Sequence, residues 1–157
     1  MKKIIVFVLS LMISAFAQAE TQGASQSTKA QGNLELGMRL SVAPGISGVY
    51  QLGGPQSVEG LLQFKGGATI VTGLYRYNFG LISPEVPGLS WYAGAGAHTK
   101  IINGATVGID GIIGLQYDFD EIPLNISMDW KPAFDIFGPG GGDFHADDIA
   151  ISVRFKF

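Results

Sequence analysis

Few side chains in this 157-residue chain have the chemistry to catalyse or to ligate. There are two histidines, His98 and His145, and no cysteine. An imidazole held by a carboxylate is an oriented general base, and Asp110 is the candidate partner for His98 because one hairpin register sets the two directly opposite. Lys100 shares the His98 face of an extended strand, which favours an internal hydrogen-bond network over catalysis. The run from Gly140 to Asp148, G-G-G-D-F-H-A-D-D, could gather oxygen ligands for a divalent cation. It lacks the spacing of a calcium loop and reads as a solvated glycine-rich loop. Gly94-Ala95-Gly96 has neither the third glycine nor the following helix of a dinucleotide-binding turn. Asn125-Ile126-Ser127 has the form of a glycosylation sequon but falls in mid-strand. The residues assign no catalytic, cofactor-binding or metal site.

The segments that must position these side chains begin after a leader. Lys2 and Lys3 precede an apolar run from Ile4 to Phe16, and Ala17-Gln18-Ala19 offers the small-x-small pattern that a signal peptidase accepts. The run is too short for a spanning helix, which needs about 20 apolar residues. Residues 1–19 therefore read as a signal peptide, and no cysteine follows for lipid attachment or for disulfides. Removal of the leader with its two lysines takes the net charge from −3 to −5 and leaves 138 residues, enough for one domain. An acidic chain without clustered Lys and Arg is a poor partner for nucleic acid. Residues 20–33, rich in Gln, Ser, Thr and Gly, have little to bury and read as a flexible periplasmic lead-in.

From Leu34 to Phe157 the periodicity is two. Eight stretches alternate between turn signals: Leu34–Val42, Ile46–Leu52, Ser57–Lys65, Thr69–Asn78, Leu89–Ile102, Thr106–Phe119, Ile122–Lys131 and Asp148–Phe157. A long loop is expected from Pro132 to Asp147. On the sixth strand Ile109, Ile113, Leu115 and Tyr117 share one face, and Asp110, Gln116 and Asp118 the other with Ile112. The seventh sets Leu124, Ile126, Met128 and Trp130 against Asn125, Ser127, Asp129 and Lys131. The last sets Ile149, Ile151, Val153, Phe155 and Phe157 against Asp148, Ser152, Arg154 and Lys156. A soluble barrel turns its apolar face inward, whereas a membrane barrel turns it outward.

Two features select the membrane. Tyr75, Tyr77, Trp91, Tyr117, Phe119, Phe155 and Phe157 gather at the end of the barrel where the chain terminates, as an interfacial girdle does. The opposite face carries Arg39, Lys65, Lys100, Lys131, Arg154 and Lys156 against Glu35, Glu59, Asp110, Asp118, Asp129 and Asp148. Buried charges persist only when paired, so this balance predicts an interior plugged by ion pairs and glycine and not a solute pore. The fourth strand is ambiguous, because an inward Arg76 takes Leu74 and Ile70 with it. Parity also constrains the Asn103-Gly104 turn: a two-residue loop would oppose outward Ala97 to inward Asp110. A three-residue loop with Gly104 in the left-handed region restores agreement.

The run from Trp91 to His98 (W-Y-A-G-A-G-A-H), Gly108-Ile109-Asp110-Gly111, and Ile122 to Pro132 (I-P-L-N-I-S-M-D-W-K-P) resemble those of small, largely uncharacterised bacterial outer-membrane β-barrels. The chain is more loosely similar to the opacity and OmpA-type transmembrane barrels. The resemblance implies an all-β, eight-stranded antiparallel up-and-down transmembrane barrel over residues 34–157, in the outer membrane of a Gram-negative cell envelope. It implies contact with lipopolysaccharide and phospholipid, and recognition of the terminal Phe157 by the barrel assembly machinery. Barrels of this size include anchors, adhesins and a few lipid-modifying enzymes, the last with a lipid-facing histidine and hydroxyl, whereas His98 is expected inside. No peptidoglycan-binding domain is expected after the last strand, and short outer loops weaken an adhesin reading. The expectation is a monomeric structural or surface-interaction protein without turnover or cofactor. The competing readings are a lipid-modifying enzyme, a passage for small hydrophobic molecules, and a soluble periplasmic lipid carrier.

Overall fold

The computed structural model describes residues 33–139 and 141–157, so the signal-peptide and lead-in segments, Asn33 apart, lie outside the described residues. Ten strands form: β1 (Leu34–Leu40), β2 (Gly45–Gly53), β3 (Gln56–Lys65), β4 (Ala68–Leu81), β5 (Leu89–Ile101), β6 (Ala105–Asp118), β7 (Leu124–Trp130), β8 (Ala133–Phe137), β9 (Phe144–His145) and β10 (Ile149–Lys156). Each of β1 to β6 pairs antiparallel with the next, β6 pairs with both β7 and β8, β7 pairs with β10, and β10 closes on β1. The ten segments are thus eight walls of one closed up-and-down barrel, with β7 and β8 as one wall and β9 and β10 as another.

The expected loop from Pro132 to Asp147 is in large part strand. Proline cannot donate to a ladder, but its carbonyl can accept, and the Gly111 amide donates to the Pro132 carbonyl at 2.9 Å. The β6 ladder therefore passes the proline and resumes at Ala133 opposite Asp110. Gly138, at φ 107°, starts the turn back. A Cβ there would lie 2.4 Å from the Ala105 carbonyl, so the return depends on glycine.

The registers fix the barrel's shape. From Gly37, partners in one direction run through Ser47, Leu61, Thr72 and His98 to Gly108. In the other direction they run through Arg154 and Asn125 to Asp118. Gly108 and Asp118 lie ten residues apart on β6, which is the shear of the barrel. With about 3.3 Å per residue and about 4.8 Å between strands, the tilt is about 41° and the backbone radius about 8 Å, a bore that side chains just fill.

The β5–β6 turn is the three-residue loop that parity demands: Ile101 pairs with Ala105, and Asn103 and Gly104 have φ of 47° and 139°. The register differs by two residues from one setting His98 across from Asp110, because His98 faces Gly108. The fourth strand resolves with Leu74 and Arg76 both inward and buried.

Polarity is inverted relative to a soluble protein. Arg39, Arg154, Asn125 and Ser152 are 0% exposed, while Met38, Leu40, Met128, Ile149 and Phe155 on the outer face are 55–63% exposed. Around the terminal end Phe79 stacks on Trp91 with centroids 4.2 Å apart, and Tyr117 packs edge-on to Phe119. Inside, Leu61, Leu74, Tyr92 and Ile112 form an apolar layer, so ion pairs and glycine do not fill the bore alone.

Candidate functional site

Three tiers of polar side chains follow one another along the bore. Next above Glu35, which accepts from Gln51 at 3.2 Å near the chain ends, Glu59 is the hub. Its carboxylate accepts from Ser47 Oγ at 2.6 Å, Arg154 Nη2 at 2.7 Å and Arg76 Nη1 at 2.9 Å. Arg154 also donates to Ser47, Asn125 and Ser127, and Arg76 to Gln116. The Arg76 guanidinium lies 3.6 Å from the centre of the Tyr92 ring, a cation–π contact out of water.

In the middle tier Arg39 grips Asp129 through both terminal nitrogens, at 2.7 and 2.9 Å, and the Tyr92 hydroxyl donates to the same carboxylate at 2.9 Å. Of the two contacts only Nη1 to Oδ2 has hydrogen-bond geometry, and the Nη2 to Oδ1 approach is a charge contact without a directed bond.

The third tier forms a cup at the end opposite the termini, and here the chemically capable residues meet. His98 Nδ1 lies 2.7 Å from Asp110, and Nε2 lies 2.8 Å from Asp135. Lys100 donates to Asp135 at 2.6 Å, Lys131 to Asp110 at 3.1 Å, and His145 Nε2 lies 3.4 Å from Asp135. The cup encloses about 190 Å³, lined also by Gln63, Lys65, Asp147 and Asp148. Gly108 makes room for the imidazole, since a Cβ there would lie 2.4 Å from His98 Cε1. His98 therefore reaches Asp110 diagonally across the ladder, the diagonal neighbour being within reach of a long side chain.

With both ring nitrogens facing carboxylates, only an imidazolium can donate to both. Such a ring is a strut and not a free base, because no nitrogen remains to take a substrate proton. His98 and Asp110 are thus brought together as the sequence suggests, in a role that holds β5, β6 and β8 to one another. His145 sits at the rim, half-exposed. Among the described residues no group of three or more His, Asp or Glu has metal-binding geometry, and the Gly140–Asp148 run contributes its Asp147 to an ion pair instead.

Asp135 is the residue that the sequence reading misses, buried at 0% exposure and holding three partners. Its signal is Ala133-Phe134-Asp135-Ile136-Phe137, the same alternation that marks the other walls, masked by Pro132 in front of it. Lys65, expected inside, stands at the rim with 45% of its side chain exposed and pairs with Asp147 at 2.9 Å. The hydrogen bond from Lys65 holds the Asp147 carboxyl below the usual carboxylate range. Lys156 pairs with Asp118 at the other mouth.

No family model matches the chain, and neither does any curated protein. Among solved structures, the NMR structure of Escherichia coli outer membrane protein W aligns over 83% of this chain and 100% of its own at 14% identity, with a TM-score of 0.51. The N-terminal β-barrel domain of Pseudomonas aeruginosa OprF aligns over 79% of this chain and 95% of its own at 19% identity, with a TM-score of 0.57. The chain has the closed eight-stranded antiparallel barrel fold of these outer-membrane proteins.

Proposed function

We propose that this chain is an integral outer-membrane barrel with a closed, ion-paired interior and a structural or surface-interaction role, acting as a monomer without catalytic turnover. The observation that carries the reading is the inversion of polarity: Arg39, Arg154 and Glu59 lie out of water inside a wall whose outer face is a continuous apolar belt. So large an exposed apolar surface belongs in lipid and not in water. The fold shared with outer membrane protein W supports the same address.

In this reading the leader directs export, the terminal Phe157 is read by the barrel assembly machinery, and lipopolysaccharide and phospholipid wrap the belt. The lipid-carrier alternative needs an apolar interior, and the bore holds ions. The enzyme alternative needs a polar cluster facing lipid, and both nitrogens of His98 are taken up inside. The passage alternative needs a gap in a wall, and the ladders run unbroken round the ring. Across the bore, Arg39, Glu59, Tyr92 and Arg154 occupy the centre at no more than 2% exposure each. Planar-bilayer recording on the reconstituted chain tests the closed interior: silent membranes are expected, and steady ohmic conductance at neutral pH would overturn it.

A further inference from the structure

The apolar belt is not of even height. On the β2 wall it runs from Ile46 to Leu52, and on the β3 wall from Val58 to Phe64, six residue-to-residue steps each. At about 3.3 Å per residue and a tilt of about 41°, each column is about 15 Å tall. On the joined β7–β8 wall the column runs from Leu124 to Phe137, thirteen steps or about 32 Å by the same conversion. A membrane barrel's apolar band is about 25 Å tall. Because Ile46 pairs with Leu62 and Tyr50 with Val58, the β2 and β3 columns are staggered and together, from Leu52 to Phe64, come close to that band, whereas the β7–β8 column exceeds it.

The excess is the flange made by β8 and β9. Its inward side chain, Asp135, belongs to the polar cup, but outward it presents Phe134, Ile136, Phe137 and Phe144, the last two 70% and 64% exposed. No charged side chain interrupts that face from Ala133 to Gly142, and Asp143 lies level with Asp135, whose amide donates to its carbonyl at 2.9 Å. The Trp130 indole donates to the Ala146 carbonyl at 2.9 Å, so the flange is fixed to the belt below it.

We infer that the β8–β9 flange is immersed in the acyl chains of outer-leaflet lipid, so that the apolar surface the membrane must cover is tallest at β7–β8. Lipid is the fitting occupant because the flange surface continues the lipid-facing belt without a polar collar between them. Mismatch of this kind is relieved by local thickening and thinning of the bilayer. The inference rests on the membrane reading proposed above.

Single-tryptophan variants test it. In a Trp91→Phe, Trp130→Phe background, Phe137→Trp and Phe64→Trp are reconstituted into phosphatidylcholine vesicles with and without vicinal bromines on the acyl chains. The expected result is loss of emission at position 137 matching that at position 64, with blue-shifted spectra at both. Quenching at 64 but not at 137 overturns the inference and leaves the flange in water, open to a protein or saccharide. Quenching at neither overturns the membrane reading and this inference with it. Because the chain has no cysteine, a nitroxide on Phe137→Cys gives a second readout should a tryptophan variant fail to fold. Preferential collision with oxygen over a water-soluble nickel chelate supports immersion, and the reverse refutes it.

Discussion

Glu59→Gln is the sharpest test of the ionic interior. The substitution keeps shape and volume but removes the one carboxylate that Arg154 and Arg76 share, at 2.7 and 2.9 Å. A glutamine can accept through its single oxygen, while its amide group turns donors toward donors. One of the two guanidiniums is then left without a counter-charge in a bore where Arg154 and Arg76 are 0% and 3% exposed. Removing one partner of a buried pair costs about 3–5 kcal/mol, and two charge-assisted bonds at about 1.5–3 kcal/mol each give the same range. Urea unfolding in vesicles, followed by tryptophan emission, should show a lower midpoint with an unchanged slope. Glu59→Gln combined with Arg76→Gln should cost less than the sum of the singles by about 1–3 kcal/mol, because the second change removes the stranded cation. A loss below about 1 kcal/mol for Glu59→Gln would mean that water screens the hub, and the plugged interior would be refuted.

Further outcomes follow from other tiers. Met128→Lys, on the apolar outer face near mid-belt, should destabilise the folded state in vesicles by about 2–4 kcal/mol if that face meets lipid, and a neutral result in the same urea titration would contradict the membrane reading. Gly108→Ala should cost on the order of 1–3 kcal/mol, since its Cβ meets His98 Cε1 and the Phe134 carbonyl at 2.4 Å each. It should also broaden the His98 ring resonances in an NMR spectrum. The rim pair gives a pH signature. Asp147 has a lowered folded pKa, so the Lys65–Asp147 contact is fully present above the unfolded value and is lost as pH falls through the folded one. In Lys65→Met the Asp147 carboxyl should titrate higher than in the parent, by NMR of its side-chain carbon. An unmoved titration would show that the pair does not form.

Much of the wall was legible because a period of two survives wherever one face is the apolar outside of the barrel and the other meets charged groups in the bore. Strands such as Ile149–Lys156 and Leu124–Trp130 announce both faces in sequence. What escaped is instructive in physical terms. Pro132 reads as a stop because it cannot donate, yet its carbonyl keeps the ladder alive, so β8 and with it Asp135 stayed hidden. The β4 strand mixes Leu74 with Arg76 on one inward face, because Leu74 lies in the apolar layer with Tyr92 and Ile112 while Arg76 reaches Glu59. The cup partners of His98 depended on a register that local sequence does not carry. Gly108 opposite His98 left space that lets the ring turn toward carboxylates on β6 and β8 at once. Lys65 was one position too near the turn to be inside.

Heat modifiability tests the central claim most directly: residues 20–157 are refolded from urea into detergent micelles, and their mobility in SDS is compared with and without boiling. A closed barrel with a lipid-facing belt should run as a compact band that shifts only on boiling. A chain that folds and remains soluble without detergent, with no such shift, would contradict the account.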